Sequence, residues 1–246
     1  MLTAGQLDSI QIVLVSPRNP LNIGAAARAM ANFGFSHLSV VAPYEPHWRE
    51  AQSAVGAETL LQNAKSAERL ADAVKDCTLV IGTGTLAARK AEQPVVPLPD
   101  LGGRVAAELA RGGRIALVFG SEKRGLSRDD LSCCHLLSVI PTHPDQPSMN
   151  LGQAVAVCLY QLASRACEPA TPQLETSESR PPTSGELDRL AGVIDDVMLA
   201  CRYSPEEMRE ANRHDLRLFL RRLALDEPDA RRALGLFRRI LHKLKS

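Results

Sequence analysis

Several segments of the sequence combine glycines with polar side chains in a spacing that suits a nucleotide-like or anionic ligand. In the first, SPRNPLNIGAAARAM, Asn22 can cap a helix, Gly24 permits close approach of a second backbone, and Arg28 lies on the turn beyond. A helix start of this kind can bind a phosphate or the edge of a sugar. Taken alone, a capped, alanine-rich packing helix with a surface arginine is the more ordinary interpretation.

A second segment, IGTGTLAARK, is glycine-rich but lacks the full spacing of a dinucleotide-binding loop. Gly82 and Gly84 begin a GxGxxG pattern, but Ala87 stands where the third glycine is required. The sequence also lacks the GxxxxGK[ST] pattern of a phosphate-binding loop. A glycine-rich turn with free backbone N–H groups remains, and a nicotinamide dehydrogenase is disfavoured.

The third segment, VFGSEKRGLS, carries the highest local density of charge among these loops. Gly120 ends an apolar run, Glu122 can accept hydrogen bonds, and Lys123 and Arg124 could meet an anionic substrate. The pattern is not GxSxG, so a nucleophile elbow is not supported. An ordinary strand-to-helix turn with solvated charges explains the segment equally well.

The fourth segment, IPTHPDQPSMNLGQAV, is a proline-rich loop that leads into a long helix. Its prolines fix an irregular backbone, and either Ser148 or Asn150 can cap the helix. His143 is the group in this loop that ionises near neutrality. Because a general base needs a defined geometry, a solvated loop histidine is the more ordinary interpretation of His143.

Short runs of β-branched and apolar residues precede these loops, and helical stretches lie between the runs. The predicted strands are Ile10–Val15, Leu38–Ala42, Thr78–Ile81, Ile115–Phe119 and Leu136–Ile140. The predicted helices are Ile23–Phe33, Ser66–Val74, Leu101–Ala110, Arg128–Leu131 and Leu151–Arg165. This alternation predicts an α/β fold, a parallel sheet covered by helices. Ligands bind such sheets at the carboxyl ends of the strands, so the post-strand loops are the candidate binding segments.

The composition divides the chain into three parts. Residues 1–167 form the predicted α/β domain, and residues 168–185 form a proline-rich, weakly apolar linker. Residues 186–246 have helical periodicity and no strand runs, which predicts a small all-helical extension. Ser204 and Pro205 are predicted to start one of its helices, and Asp226-Glu227-Pro228 another.

Apolar runs and cysteines restrict the possible compartment and cofactors. No run is long enough to span a bilayer and no signal peptide is evident, so a cytoplasmic protein with no membrane partner is expected. Cys133-Cys134-His135 offers three ligand types, but consecutive residues cannot easily converge on one ion. We interpret them as small side chains leading into a strand, and we predict no metal.

The net charge of +1 averages two unlike regions. Residues 209–246 contain 11 basic and 5 acidic residues, so the remainder of the chain is acidic. Within this region a stripe of arginines recurs at every fourth position: Arg209, Arg213, Arg217 and Arg221. A solvated helix face is the ordinary interpretation, and contact with an RNA backbone is the alternative.

Three of these segments, in this order, resemble the motifs of a known enzyme family. NIGAAARAM, FGSEKRGL and IPTHPDQPSMNLGQAV are similar to the three motifs of the SpoU (TrmH-like) branch of the SPOUT RNA methyltransferases, over about residues 10–165. The resemblance implies a C-terminal trefoil knot in the α/β domain, a homodimer with active sites at its interface, and S-adenosylmethionine as the methyl donor. Periodicity does not indicate a knot, and knots are rare in general.

The resemblance also assigns roles to residues. It implies that the cofactor is held by Thr83, Gly84, Thr85, Gly120, Ile140, Pro147, Ser148 and Met149. Arg28 matches the arginine assigned to the ribose 2′-hydroxyl, and the other polar motif positions are Asn22, Glu122, Ser148 and Asn150. Three positions depart from the residues that are frequent in the family: His143, Asp145 and Met149. These departures affect the expected details of the loop more than the expected reaction.

The implied activity is 2′-O-methylation of tRNA. The linker and helical tail resemble those enzymes of the branch that modify nucleotide 32 (C or U) of the anticodon loop, and the basic stripe is then better explained by RNA contact. Arg28 either deprotonates the hydroxyl, with help from a substrate phosphate, or only orients it and stabilises the oxyanion. The alternatives are another tRNA site, ribosomal RNA, or a non-catalytic RNA-binding protein on the same scaffold.

Overall fold

The computed structural model describes residues 2–84, 91–165 and 180–245. Its strands are β1 (Ile10–Val15), β2 (His37–Val41), β3 (Lys65–Ala67), β4 (Leu79–Thr83), β5 (Val95–Pro97), β6 (Ile115–Phe119) and β7 (Leu136–Val139). Over the described residues they form one seven-stranded sheet in the order β3-β2-β1-β6-β4-β7-β5. Every pairing is parallel, which confirms the predicted parallel sheet.

Helices cover both faces of this sheet. They are α1 (Ala4–Asp8), α2 (Pro20–Asn32), α3 (Glu58–Gln62), α4 (Leu70–Ala73), α5 (Leu101–Ala110), α6 (Arg128–Ser132) and α7 (Leu151–Arg165). Along β1, Ile12 and Leu14 join one hydrophobic core with α2 and α7, whereas Val13 and Val15 join a second core on the opposite face. Burial on both faces explains why the strands are continuous apolar runs in the sequence.

Two edge strands and part of one helix depart from the prediction. β3 and β5 have three residues each and form the two edges of the sheet, and neither is predicted from the sequence. The predicted helix Ser66–Val74 is wrong in its first half, because Ser66 and Ala67 belong to β3 and α4 begins only at Leu70. A three-residue strand shows too little alternation to be distinguished from helix.

All regular secondary structure in the described part of the tail is helical. It contains α8 (Ser184–Ala200), α9 (Arg209–Arg222) and α10 (Glu227–Lys245), which share a small core around Leu187, Leu190 and Leu220. The predicted linker 168–185 is described only from residue 180, and Ser184 and Gly185 already belong to α8.

The two predicted helix starts in the tail have different outcomes. The start at Asp226 is confirmed, because its Oδ1 accepts the Asp229 N–H at 2.8 Å. The start at Ser204 and Pro205 is wrong: a 3-10 turn, Glu206–Met208, intervenes before α9. Ser204 is instead held by the Asn212 side chain, whose Nδ2 donates to Ser204 Oγ at 2.6 Å.

The arginine stripe of α9 is paired inside the protein. Arg209 and Arg213 both donate to Asp195 Oδ2, at 2.9 and 3.0 Å, and Asp195 is fully buried. Further along, Arg217 Nη1 lies 2.9 Å from Asp129 Oδ1, and Arg217 Nε lies 3.6 Å from Asp188 Oδ1. Arg221 Nη2 lies 3.0 Å from the same Asp188 oxygen. All four arginines of the stripe thus have carboxylate partners within the protein, and these pairs account for Arg217 and Arg221 without RNA. Contact of the stripe with RNA stays a prediction, and Arg213 keeps half of its side chain exposed.

In the described ranges, helices fall short of the length and apolarity that a membrane span requires.

Candidate active site

Three post-strand loops meet at the carboxyl end of the sheet and enclose a cavity of about 440 Å³. They follow β4, β6 and β7, which lie side by side in the order β6-β4-β7. Seven of the residues predicted to hold a cofactor line the cavity: Thr83, Gly84, Gly120, Ile140, Pro147, Ser148 and Met149. Thr85 lies outside the described residues. The sequence therefore brings the expected loops to one cavity, as parallel-sheet topology requires.

The loop after β6 forms one wall of the cavity and folds back on itself. Gly125, at φ 66°, donates its N–H to the Ser121 carbonyl at 2.8 Å. A Cβ added to Gly120 would lie 2.2 Å from the carbonyl carbon of Gly125. This close backbone approach requires glycine at position 120.

A hydrogen-bonded network ties this loop to the starts of α2 and α7. Asn22 Nδ2 donates to Glu122 Oε1 at 2.7 Å, and Asn150 Nδ2 donates to Asn22 Oδ1 at 2.9 Å. Asn150 Oδ1 in turn accepts the Gly152 N–H at 2.9 Å, so Asn150 rather than Ser148 caps α7. Three of the predicted polar positions, 100 and 128 residues apart in sequence, thus form one connected group.

Glu122 is held as a carboxylate at the centre of this network. Burial raises its pKa, but hydrogen bonds from the Asn22 side chain and from the N–H groups of Arg18 and Asn19 outweigh burial, so the pKa lies below its usual range. The two backbone donors lie 2.9 and 3.3 Å from the carboxylate oxygens. Glu122 is therefore suited to orienting its neighbours rather than to accepting a proton.

The start of α2 differs from the prediction in two respects. Asn19, not Asn22, is the N-cap, because Asn19 Oδ1 accepts the Leu21 N–H at 2.9 Å and the helix begins at Pro20. The Asn22 side chain is consequently free to join the network. A Cβ at Gly24 would lie 2.2 Å from Ser53 Oγ, so Gly24 accommodates another part of the protein rather than a ligand.

Arg28 is exposed on α2 and is absent from the described residues that line this cavity. It shares a helix face with Leu21, Ala25 and Asn32, since positions separated by three, four and seven residues lie on one side of a helix. Ser148, the remaining predicted polar residue, lines the cavity. The predicted catalytic set is therefore divided between the cavity with its network and a separate surface position.

Some cavity residues are not predicted from the sequence. Glu92, Gln93, Arg128 and His214 all line the wall, and His214 comes from α9 in the helical tail. A lone histidine within an arginine-rich helix carries no motif that would single it out. Only the docking of α9 against α6, through Arg217 Nη1 and Asp129 Oδ1, brings His214 to the cavity.

The Cys133-Cys134-His135 segment behaves as small core side chains, as predicted. Both cysteines are buried, and burial raises the pKa of the Cys133 thiol to about 11 and that of Cys134 still higher. His135 Nδ1 accepts the Val80 N–H at 3.0 Å, and burial lowers its pKa to about 3. Protonated thiols and an engaged ring nitrogen are poor metal ligands.

His143 is exposed, as the ordinary interpretation predicts. Its Nδ1 lies 3.6 Å from the Asp145 carboxylate, and the residue is not among the described lining of the cavity. This arrangement offers no support for a general-base role.

The chain is similar to known proteins over most of its length. Residues 9–160 match the profile of the SpoU rRNA Methylase family, and the chain belongs to that family. Along 97% of its length it is 32% identical to the tRNA (cytidine/uridine-2′-O-)-methyltransferase TrmJ of Pectobacterium atrosepticum, covering 98% of that protein. An uncharacterized tRNA/rRNA methyltransferase of Haemophilus influenzae is 36% identical over 156 residues, 63% of each chain. The crystal structure of TrmJ from Z. mobilis ZM4 superposes with a TM-score of 0.79 at 27% identity, covering 96% of this chain and 99% of that one.

Proposed function

We propose that this protein transfers a methyl group from S-adenosylmethionine to the ribose 2′-hydroxyl of tRNA, at nucleotide 32 (C or U) of the anticodon loop. The observation that carries the proposal is that the second and third motif segments line one cavity beside the loop after β4, and that Asn22 of the first motif is hydrogen-bonded to both of them, through Glu122 and Asn150. The full-length similarity to a tRNA 2′-O-methyltransferase supports the choice of substrate. Such a substrate is consistent with a cytoplasmic protein.

The cavity fits the proposed cofactor. Its volume is within the ordinary range of small-molecule pockets, roughly 300–1,000 Å³. Ile140, Leu126 and Met149 offer apolar contacts to an adenine ring. When bound, S-adenosylmethionine supplies a methyl group that is already electrophilic, so we propose no metal.

Within this proposal the residues of the chain position the nucleophile. Glu122 holds Asn22 and the loop before α2, and Asn150 fixes the start of α7 against them. Arg28 binds the ribose 2′-hydroxyl. Because a guanidinium stays protonated in nearly all proteins, we favour a role in which Arg28 orients the hydroxyl and stabilises the oxyanion, while another group or water takes the proton.

We also propose a homodimer in which Arg28 serves the cavity of the partner subunit. Arg28 is outside the described lining of its own cavity but lies on the exposed face of α2. α2 packs against α7, and this pair of helices exposes Leu21, Val157 and Tyr160 at 54%, 36% and 60%. Exposed apolar side chains of this kind are typical of an interface.

The proposed domain organisation follows the same family. β7 is inserted between β4 and β5, although β4 and β5 are consecutive strands, and we propose that a trefoil knot forms where the chain leaves β7. Residues 1–167 would then form the methyltransferase domain, followed by a linker that ends where α8 begins at Ser184 and by an RNA-binding extension up to residue 246.

Methyl transfer to an unmodified tRNA transcript tests the reaction and its site together. We expect the purified protein to transfer label from methyl-labelled S-adenosylmethionine to the transcript, and nuclease digestion to locate the label at nucleotide 32. A matched transcript with 2′-deoxyribose at that nucleotide should accept none. Label at another nucleotide, or in ribosomal RNA alone, would support the alternative substrates. Absence of transfer to both RNAs would favour the non-catalytic RNA-binding protein.

The basic residues of α10 are the proposed RNA contacts, because the stripe of α9 is paired within the protein. Arg239 and Lys243 are exposed, lie four residues apart, and make no ion pair with any described residue. Replacing both with alanine should weaken tRNA binding and reduce the slope of log K against log salt by roughly 1 for each phosphate that is no longer neutralised. A filter-binding titration over several salt concentrations measures both quantities.

The control for this experiment removes two exposed basic residues from the methyltransferase half, Lys65 and Arg104. It changes the net charge equally and should leave the salt slope unchanged. RNA contact through α10 would be contradicted if the unsubstituted protein, the α10 double variant and the control all had the same slope of log K against log salt.

A further inference from the structure

His214 connects the helical tail to the cofactor cavity. It belongs to α9, yet it lines the cavity built by the loops after β4, β6 and β7, and it is 8% exposed. α9 is anchored to α6 by Arg217, whose Nη1 donates to Asp129 Oδ1 at 2.9 Å and lies 3.4 Å from Ser132 Oγ. α6 directly follows the loop that carries Gly120 and Glu122.

The histidine ring contacts two charged residues of the cavity wall. Arg128 Nε donates to His214 Nε2 at 3.2 Å, which requires a neutral ring with its proton on Nδ1. The Glu92 carboxylate lies 3.5 Å from the same nitrogen and 3.9 Å from Arg128 Nη2. Arg128 and Glu92 are otherwise substantially exposed, with side chains at 70% and 46%. His214 is thus the buried partner that restricts two exposed side chains.

A metal ion is the less suitable explanation for this cluster. The ligand atoms of Glu92, His214 and Asp215 lie within 4.8 Å of one another. However, the Arg128 guanidinium donates to His214 Nε2, the nitrogen that faces Glu92, and a cation there would meet this positive charge.

We propose that His214 is a positioning residue for the cofactor. By holding Arg128 and Glu92 in the wall, it completes the cavity only when α9 is docked. The two charged side chains then present a guanidinium and a carboxylate together, a pair that suits a zwitterionic ligand such as the amino-acid end of S-adenosylmethionine. The identity of the ligand rests on the proposed function.

The proposal also links the tail to the cofactor energetically. A tail whose docking completes the cofactor cavity must, in return, be held in its docked position by bound cofactor. The full-length chain is therefore needed for tight cofactor binding, and not only for contact with RNA.

Calorimetric titration of the full-length protein with S-adenosylmethionine tests the assignment without RNA. His214→Ala should raise Kd roughly tenfold, because a buried hydrogen bond to a charged group is lost. His214→Gln, which can still accept from Arg128, should remain within roughly threefold of the unsubstituted protein. His47→Ala is the control, since His47 is 82% exposed and outside the described lining of the cavity. In steady-state assays, His214→Ala should raise the KM for the cofactor and leave kcat largely unchanged.

A double-substitution cycle with Arg128→Ala separates positioning from loss of stability, and Arg128 is exposed enough for this variant to fold. If His214 acts through Arg128, the Kd of the double variant for S-adenosylmethionine should be roughly tenfold above that of the unsubstituted protein. The effects of the two single substitutions on Kd should therefore not multiply. The proposal would be overturned if the two single effects on Kd multiplied in the double variant. It would also be overturned if His214→Ala lowered only the Tm and left Kd unchanged. An unsubstituted protein that fails to bind S-adenosylmethionine would overturn the proposed function instead.

Discussion

Replacing Arg28 with alanine should reduce kcat for methyl transfer by roughly 10²- to 10³-fold, the usual effect of removing a donor that stabilises a developing oxyanion. The Kd for S-adenosylmethionine should stay unchanged, because the role proposed for Arg28 is toward the ribose 2′-hydroxyl and not toward the cofactor. A ribose 2′-hydroxyl is a weak nucleophile, so its orientation and the stabilisation of its negative charge control the rate. Single-turnover assays with labelled cofactor, paired with calorimetric titration, measure the two quantities separately.

Lysine at position 28 is the sharper variant. Lys retains the positive charge but lacks the planar, forked set of donors of a guanidinium, so Arg28→Lys should also be strongly impaired. Arg104→Ala, which removes an exposed arginine from α5, is the matched control and should retain full turnover. Near-normal turnover of Arg28→Lys with intact cofactor binding would contradict both proposed roles of Arg28.

Mixing two inactive variants tests whether Arg28 acts across a dimer interface. Ser148→Trp should block the cavity of its own protomer, since Ser148 lines the cavity and is exposed enough to tolerate a larger side chain. In a mixed dimer with Arg28→Ala, one site combines an intact cavity with the partner's intact arginine. Activity should therefore reappear on mixing, whereas an arginine that serves its own cavity would leave the mixture inactive.

The sequence predicts best the features that repeat locally. β1 and β6 have the predicted bounds because IQIVLV and IALVF are apolar on both faces of a buried sheet. The candidate site could be predicted in outline, because the topology of a parallel sheet brings its post-strand loops together. Short edge strands such as β3 carry almost no periodic signal, so the sequence does not predict them.

Features that depend on a distant partner could not be predicted in the same way. An arginine at every fourth position is the same pattern whether the helix faces RNA or a row of carboxylates. The partners Asp188 and Asp195 are seven residues apart on α8, a spacing that matches the stripe, but only the packing of α8 on α9 makes them its partners. The same holds for Gly24, whose close neighbour Ser53 lies beyond β2.

Replacing Gly120 with alanine should both destabilise the protein and abolish tight cofactor binding. The added Cβ would lie 2.2 Å from the Gly125 carbonyl carbon and 2.3 Å from the Leu126 nitrogen. Backbone atoms cannot give way as a flexible side chain can, so we expect a loss of about 1–3 kcal/mol in the free energy of unfolding. Because the displaced loop also carries Ser121 and Glu122, the Kd for S-adenosylmethionine should rise by at least roughly tenfold, as expected when a preorganised site is lost.

Two controls separate the loss of binding from the loss of stability. Leu61→Ala removes a buried side chain of α3 that is outside the described lining of the cavity, so it should cost a comparable or larger amount, about 2–5 kcal/mol, and leave Kd unchanged below its Tm. Gly192→Ala, in α8, adds a methyl group that meets no described atom within 4 Å and should stabilise the helix slightly. If Gly120→Ala bound the cofactor as well as Leu61→Ala does, the tight turn after β6 would matter only for folding. A selective loss of binding would show that the close approach of Gly120 to Gly125 shapes the cavity, and with it the position of Glu122.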